Sequence, residues 1–270
     1  MTRTQILSIA LALLLVLAGC TGADVPTDAT PTGGGSGGGG GSGGAGDSGA
    51  DDEFDVADPE TILREAGSFT STWTFTVTEV DGETTTMSNS YRVDVAGNRT
   101  SEVLSVEGAS ATSYERFVAD GTSYTRFGED EEVFYQVTPF AGDPIDVALS
   151  RGAAFAYDDL SDAEMVGTET FDGVSVTRYE YRDPLLWRQY GTSAFGGEEN
   201  VTVTDFVLMS LVDEDGLARS TGWTLVGETE SGEEVRAEWR FELTDVGSTT
   251  VPDPDWLEEA ESRSETAVGY

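Results

Sequence analysis

The sequence predicts an α+β fold that is mainly β: a curved antiparallel sheet with a few short helices covering its apolar face. Three observations predict it. Large apolar residues alternate with polar ones over much of the stretch from Phe54 to Ser262, the period of two that sends successive strand side chains to opposite faces. Asp-Gly stands between strand-like runs at Asp81-Gly82, Asp120-Gly121, Asp172-Gly173 and Asp215-Gly216, where both residue types accept the positive φ of tight hairpin turns. Asp-Pro opens four other segments, at Asp58-Pro59, Asp143-Pro144, Asp183-Pro184 and Asp253-Pro254. That pair is a helix start, because Asp accepts an orphan amide hydrogen bond and Pro needs none.

Taken in order, the first helix is expected to run from Pro59 to a stop at Gly67, with Ile62, Leu63 and Ala66 on its apolar side. Strands follow at 68–80 and 83–95. In Phe69 to Thr78 the odd positions are mostly large and apolar and the even ones are all Thr, which gives a sheet with one dry face and one wet face. Further strands are expected at 99–106, 111–119, 122–127 and 131–137. A second helix should open at Pro144 and stop at Gly152, before strands at 164–171 and 174–182. A third, with Leu185, Leu186 and Trp187, should run from Pro184 to Gly191. Strands at 200–213, 217–228 and 233–245 complete the sheet, and from Val235 to Leu243 the wet positions alternate Arg and Glu that can pair across or along strands. A last helix is expected after Asp253-Pro254.

Composition removes several functions. The chain has 270 residues, 14 basic against 51 acidic, for a formal charge of −37. So acidic a surface excludes a nonspecific nucleic-acid binder or an electrostatic membrane patch. Every basic residue is Arg, His is absent, and the single Cys is Cys20, so there is no His base, no Lys Schiff base and no intrachain disulfide. An acidic, Lys-free surface reads as adaptation to very high salt, where at about 1 M the Debye length falls to roughly 3 Å and self-repulsion is screened.

The N-terminus supplies an address. Arg3 precedes an apolar run from Ile6 to Ala18 and then Leu17-Ala18-Gly19-Cys20. The run is shorter than the roughly 20 residues that span a bilayer, and small residues before the cysteine suit processing. Residues 1–19 therefore read as a signal peptide ending in a lipobox. Likeness to exported lipoproteins implies cleavage before Cys20 and lipid on its sulfur, which anchors the chain at the outer face of the cell membrane. One acyl chain binds only marginally, so a two-chain lipid or an equivalent is required. Residues 20–53 are rich in Gly, Ser, Thr and Asp, with five consecutive glycines from Gly37 to Gly41. They read as a flexible tether that spans on the order of 30 Å. Residues 54–262 read as one β-rich extracytoplasmic domain and 263–270 as a tail.

The candidate ligand-facing residues are the inward set of the central strands: Trp73, Phe75, Val77, Tyr91, Val93, Trp223, Leu225, Trp239 and Phe241. The same residues would fill an ordinary core equally well. No catalytic residue, metal or cofactor is implied. Carboxylates are too abundant for a pair to signal catalysis, and the Gly-x-Ser-x-Gly matches lie in the tether, without the strand and helix an elbow needs. Asp213-Glu214-Asp215 reads as a solvated hairpin and Asp253-Pro254-Asp255 as a cap, neither with calcium-loop spacing. Asn98-Arg99-Thr100 and Asn200-Val201-Thr202 match the N-glycosylation acceptor pattern, which makes Asn98 and Asn200 candidates.

The order of exported lipobox, helix, hairpin meander, mid-chain helix and final hairpins resembles the LolA-like lipoprotein-carrier fold. Nearer likeness is to LppX/LprAFG-type lipoproteins, through Tyr114 to Tyr124, Asp143-Pro144 to Val166-Gly167, and Phe171-Asp172-Gly173 to Arg178-Tyr179. The chain also resembles a haloarchaeal group of exported lipoproteins of undetermined function. The resemblance covers about residues 55 to 255. It implies a half-barrel whose helices enclose an apolar cavity for acyl chains; the acidity and the Gly tether depart from the mycobacterial members. The expected function is a tethered binding protein that carries or senses a lipid or other apolar small molecule. The alternative is a non-enzymatic surface scaffold or interaction lipoprotein with a filled core, its protein partner unknown.

Overall fold

A computed structural model describes residues 57–78, 80–107, 112–128, 133–153, 163–182 and 201–267. Cys20, the tether, the segment opened by Asp183-Pro184 and Asn200 lie outside the described residues. Alternation builds eleven strands: β1 (Ser68–Thr78), β2 (Thr84–Asp94), β3 (Arg99–Glu107), β4 (Thr112–Ala119), β5 (Thr122–Phe127), β6 (Phe134–Pro139), β7 (Glu164–Phe171), β8 (Val174–Arg182), β9 (Val201–Asp213), β10 (Ala218–Thr229) and β11 (Glu234–Thr244). Among the described residues three helices accompany them, α1 (Pro59–Ala66), α2 (Pro144–Ala153) and α3 (Leu257–Ala267). The strands form one open antiparallel sheet in the order β6-β5-β4-β3-β2-β1-β11-β10-β9-β8-β7. β1 and β11 are joined at the centre of the sheet from Thr70↔Thr244 to Thr78↔Arg236.

The turns divide by chemistry. At Asp120-Gly121 and Asp172-Gly173 both residues have positive φ, so two-residue hairpins of the primed type join β4 to β5 and β7 to β8. At Asp81-Gly82 and Asp215-Gly216 only the glycine does, and a carboxylate closes the turn. Asp213 Oδ1 accepts from the amides of Asp215 (3.0 Å) and Leu217 (2.9 Å), while its Oδ2 accepts from Arg219 Nε at 2.6 Å. The acidic run at 213–215 is thus a hairpin turn whose Glu214 and Asp215 are exposed, as the sequence suggested, while the Asp213 side chain is turned inward to close it.

Two Asp-Pro starts behave as expected. Asp58 Oδ1 accepts from the Glu60 amide at 3.2 Å, and Gly67, at φ +79°, ends α1 by donating to the Leu63 carbonyl. Asp143 Oδ1 accepts from the Ile145 amide at 2.8 Å, but Gly152 lacks the positive φ of a cap and α2 runs through it to Ala153. The last helix begins at Leu257 rather than Pro254, because Asp253 is drawn away by Arg99 and caps nothing.

Two faces result. On one, α1 and α2 press Leu63, Ile145, Ala148 and Leu149 onto Phe69, Tyr91, Val93, Phe241 and Leu243. Each Leu, Ile, Val or Phe among them contributes about 1.5–3 kcal/mol when fully buried. Beside it lies a second cluster on the same face, Phe206, Leu208, Trp223, Leu225, Val235 and Ala237. The opposite face of β1 and β2 is a ladder of hydroxyls, with Thr76 to Thr86 and Thr78 to Thr84 each at 3.3 Å. α3 packs on that opposite face at the far wing, where Phe117, Ala119 and Tyr124 meet Val251, Trp256 and Leu257.

Gly222 of β10 shows how closely the central strands approach. A Cβ there would stand 2.6 Å from the Trp239 carbonyl oxygen and 3.2 Å from the Arg240 Cα, both backbone atoms. Gly222→Ala should therefore cost about 2 kcal/mol through displacement of β10 from β11, read as a lowered urea midpoint in high salt. An unchanged midpoint would refute the packing.

Candidate ligand-binding site

Strand register decides which side chains converge. Trp73 lies opposite Phe241, Phe75 opposite Trp239, and Trp239 opposite Trp223, so the candidates of β1, β10 and β11 form one row on the helix-bearing face. Tyr91 and Val93 extend that row into β2 through Ser71↔Tyr91 and Phe69↔Val93. The row divides in its packing. Tyr91, Val93 and Phe241 are buried beneath α1 and α2, and Trp223 and Leu225 are buried in the second cluster. Trp73, Phe75, Val77 and Trp239 are only half-buried. Phe75 meets Trp223 edge-on at 6.1 Å, and Trp239 packs against both clusters. Among the described residues no helix packs on the second cluster.

The apolar face continues to the sheet's edge. Register carries it through Leu104↔Tyr114, Tyr114↔Phe127 and Phe127↔Phe134. Their rings follow one another at 5.9 Å and 6.0 Å. Exposure rises along that path, from buried Leu104 to Phe127 at 38% and Phe134 at 61%. At the other edge Met165 and Val166 of β7 are also exposed, 50% and 54%. Large apolar side chains thus mark both open edges.

Between helix and wing lies a charged group on this same face. Glu102 of β3 is 4% exposed. Its Oε1 accepts from Asn89 Nδ2 at 2.8 Å and from Arg151 Nη1 of α2 at 3.3 Å, and its Oε2 accepts from Arg116 of β4. The Arg151 guanidinium lies 5.4 Å from the centre of the Tyr91 ring. Burial alone would raise the Glu102 pKa, but Arg116, Arg151 and hydrogen bonds from Asn89 and Tyr114 hold it below the ordinary carboxylate range. Burial, then the negative charge of Glu102, pushes the Tyr91 and Tyr114 phenols up. Arg116 Nε is buried with no hydrogen-bond partner.

A cavity of about 400 Å³ opens on the other face of the sheet, lined by Thr74, Thr76, Arg178, Met209, Gly222 and Arg240 among others. It lies behind the candidate row; Trp223 and Trp239 border it from neighbouring strand positions.

Glu102, Arg116, Arg151, Phe127 and Phe134 were missed by sequence reasoning. A signal existed: Arg116 stands at the parity of Tyr114 and Val118, so a scarce arginine occupies a dry-face position. Among the described residues no group of three or more His, Cys, Asp or Glu side chains is placed to hold a metal ion. Asn98 is exposed at the β2–β3 turn, whereas Thr100 of its acceptor triplet is 1% exposed and its hydroxyl accepts from Tyr91 Oη at 3.3 Å. Glycan transfer there would have to precede folding.

Fold and surface together define a class: an open antiparallel sheet with one apolar, helix-bearing face and apolar side chains at its edges. The chain belongs to the family of unknown function DUF7537, whose model matches residues 5–260. Among solved structures it is similar to LprF from Mycobacterium bovis, at 13% identity and a TM-score of 0.33, covering 74% of this chain and 99% of that one. It is also similar to a LolA superfamily protein from Nitrosomonas europaea, at 12% identity and a TM-score of 0.25, covering 73% and 92%. A β-barrel-like protein of domain of unknown function DUF1849 from Brucella abortus matches at 9% identity and a TM-score of 0.19, covering 69% and 98%. No curated protein matches the sequence.

The Glu102 group has a pH signature. A carboxyl whose folded pKa is depressed stabilises the protein above its unfolded value, near 4.5, and the contribution is lost as pH falls through the folded value. Glu102→Gln should be less stable than the parent by about 3 kcal/mol at neutral pH. That gap should narrow in chemical denaturation series taken below the unfolded value. A gap that stays constant to about pH 2 would rule out an ionised Glu102.

Proposed function

We propose that this chain is a membrane-tethered extracytoplasmic protein that carries or senses a lipid or other apolar ligand on the helix-bearing face of its half-barrel. The observation that carries the proposal is that large apolar side chains on this one face are left uncovered in two places. Trp73, Phe75, Val77 and Trp239 are only half-buried at the centre, and beyond buried Met87 and Leu104 the rings of Phe127 and Phe134 are exposed at the wing. A sheet that used this face only as core would cover its largest rings, since each carries the most burial energy. Apolar side chains at both open edges suit the entry of a greasy molecule from the side. Lipid on Cys20 and a tether over 20–53 would hold the 54–262 domain at the outer face of the membrane. No catalytic residue, cofactor or nucleic-acid partner forms part of the proposal.

A second reading has its own observation. Tyr91, Val93, Trp223, Leu225 and Phe241 are all buried by protein, which is what a filled-core scaffold or interaction lipoprotein requires.

Three measurements separate and test these readings. Protein purified from its own host should release an apolar molecule on solvent extraction and show the matching mass increment in native mass spectrometry; a bare mass would favour the scaffold. Phe134→Ser should lower loading of an alkyl probe severalfold while it changes stability by less than about 0.5 kcal/mol, since the ring is on the surface. Loading equal to that of the parent would remove the wing from the site. Cys20→Ser should move the protein from the membrane to the soluble fraction, and retention on the membrane would refute the tether.

A further inference from the structure

The proposed ligand's chemistry can be narrowed from the charged group beside the aromatic path, an inference that rests on the apolar-ligand reading. Two guanidiniums, Arg116 and Arg151, share the carboxylate of Glu102, which among the described residues leaves one positive charge in excess on the helix-bearing face. The remaining polar neighbours, Asn89, Tyr91, Tyr114 and Thr100, are uncharged. On a chain of formal charge −37 that excess is against the grain. A second group of the same form, Glu180 between Arg178 and Arg182, sits on the opposite face with its arginines 37% and 61% exposed, where water and salt satisfy the more open one. The pair at Glu102 is different: the side chains of Arg116 and Arg151 are 23% and 35% exposed. Arg116 also keeps a buried Nε without a partner. Tyr114 links this group to the aromatic path, because its hydroxyl donates to Glu102 while its ring stacks on Phe127 at 5.9 Å, and Phe127 meets Phe134 at 6.0 Å.

We infer that the ligand is an anionic amphiphile, its headgroup held by Arg116 and Arg151 and its chain laid over Tyr114, Phe127 and Phe134. A carboxylate or a monoester phosphate would supply the missing charge, and guanidiniums bind either through paired N–H donors. In molar salt, attraction beyond contact distance is screened, so only an anion seated on the guanidiniums gains from them. The apolar part must supply the rest of the affinity, which excludes small soluble anions as the natural occupant.

The test compares hexadecanol, palmitate, hexadecyl phosphate and inorganic phosphate as probes of the full chain in high salt, by calorimetry or displacement of a fluorescent alkyl probe. Palmitate or hexadecyl phosphate should bind at least about tenfold tighter than hexadecanol, the scale of one charge-assisted hydrogen bond. Whichever of the two binds tighter identifies the headgroup as carboxylate or phosphate. Arg151→Gln should bring the charged probes level with hexadecanol, since it leaves Glu102 and Arg116 as a neutral pair, and Arg151→Lys should retain the preference. Equal binding of hexadecanol and the charged probes would overturn the headgroup assignment and leave the apolar-ligand reading standing. Inorganic phosphate binding as tightly as hexadecyl phosphate would overturn it in favour of a simple anion site. If no alkyl probe binds at all, both readings fall together.

Discussion

The pairing of β1 with β11 is the constraint on which the rest of the structure depends. The chain runs outward as a meander from β1 to β6, crosses by way of α2, and returns as a second meander from β7 to β11. Among the described strand pairings the central seam alone joins the two meanders, and it aligns Trp73, Phe75 and Val77 with Phe241, Trp239 and Ala237. The row of rings on the helix-bearing face therefore exists only after residues far apart in sequence have met. α1 and α2 lie over that junction, and their cluster draws on β1, β2, β11 and Leu217 together. The seam also dictates the edges. Once β1 and β11 are paired, β6 and β7 remain as the open strands, although they follow one another in sequence.

Local signals account for what was legible before any coordinates. Period two set the strands and their dry face, and Asp-Gly marked four of the hairpins because glycine reaches positive φ without strain. Asp58 and Asp143 cap as their sequence context demands. What could not be read is non-local. Asp253 looked like a cap until Arg99 of β3 claimed it, and Asp213 looked solvated until Arg219 and two amides closed on it. The face on which α3 packs is set by Phe117 and Tyr124, residues distant in sequence, so no pattern within the helix revealed it. The candidate row was legible as one face, but its division into buried and half-buried members depends on where α1 and α2 come to rest. Glu102 and its arginines were hidden because abundant carboxylates drown any single one, and only the parity of Arg116 distinguished it.

High salt and burial act differently on this chain's charges. Exposed pairs such as Arg236–Glu238 and Arg263–Glu259 contribute little individually and less as ionic strength rises. Exposed ion pairs of this kind are therefore not what holds the fold together. Glu102 is the opposite case. It has left water, so its partners are protein groups at contact distance and salt screens them poorly. A buried charge with more counter-charge than it needs is not explained by stability alone, because an apolar replacement of the group would avoid the desolvation cost.

The far wing, β4 to β6, shows why bare aromatics there are more than an unfinished core. Its opposite face is well anchored: Trp256 Nε1 donates to Glu115 at 2.7 Å, the Tyr135 hydroxyl donates to Glu259 at 3.1 Å, and Phe117 lies in the cluster with Val251. Arg99 sits over the Phe117 ring at 4.9 Å and adds a further tie to the segment before α3. A wing fixed from one side needs no cover on the other to keep its shape. Phe127 and Phe134 are therefore held in line with Tyr114 by a support that lies behind the wing. If the exposed rings served only folding, the same α3 contacts would allow polar residues in their place at little cost. Their size and continuity with Leu104 and Tyr114 instead extend the dry face past the helices, to the margin of the sheet.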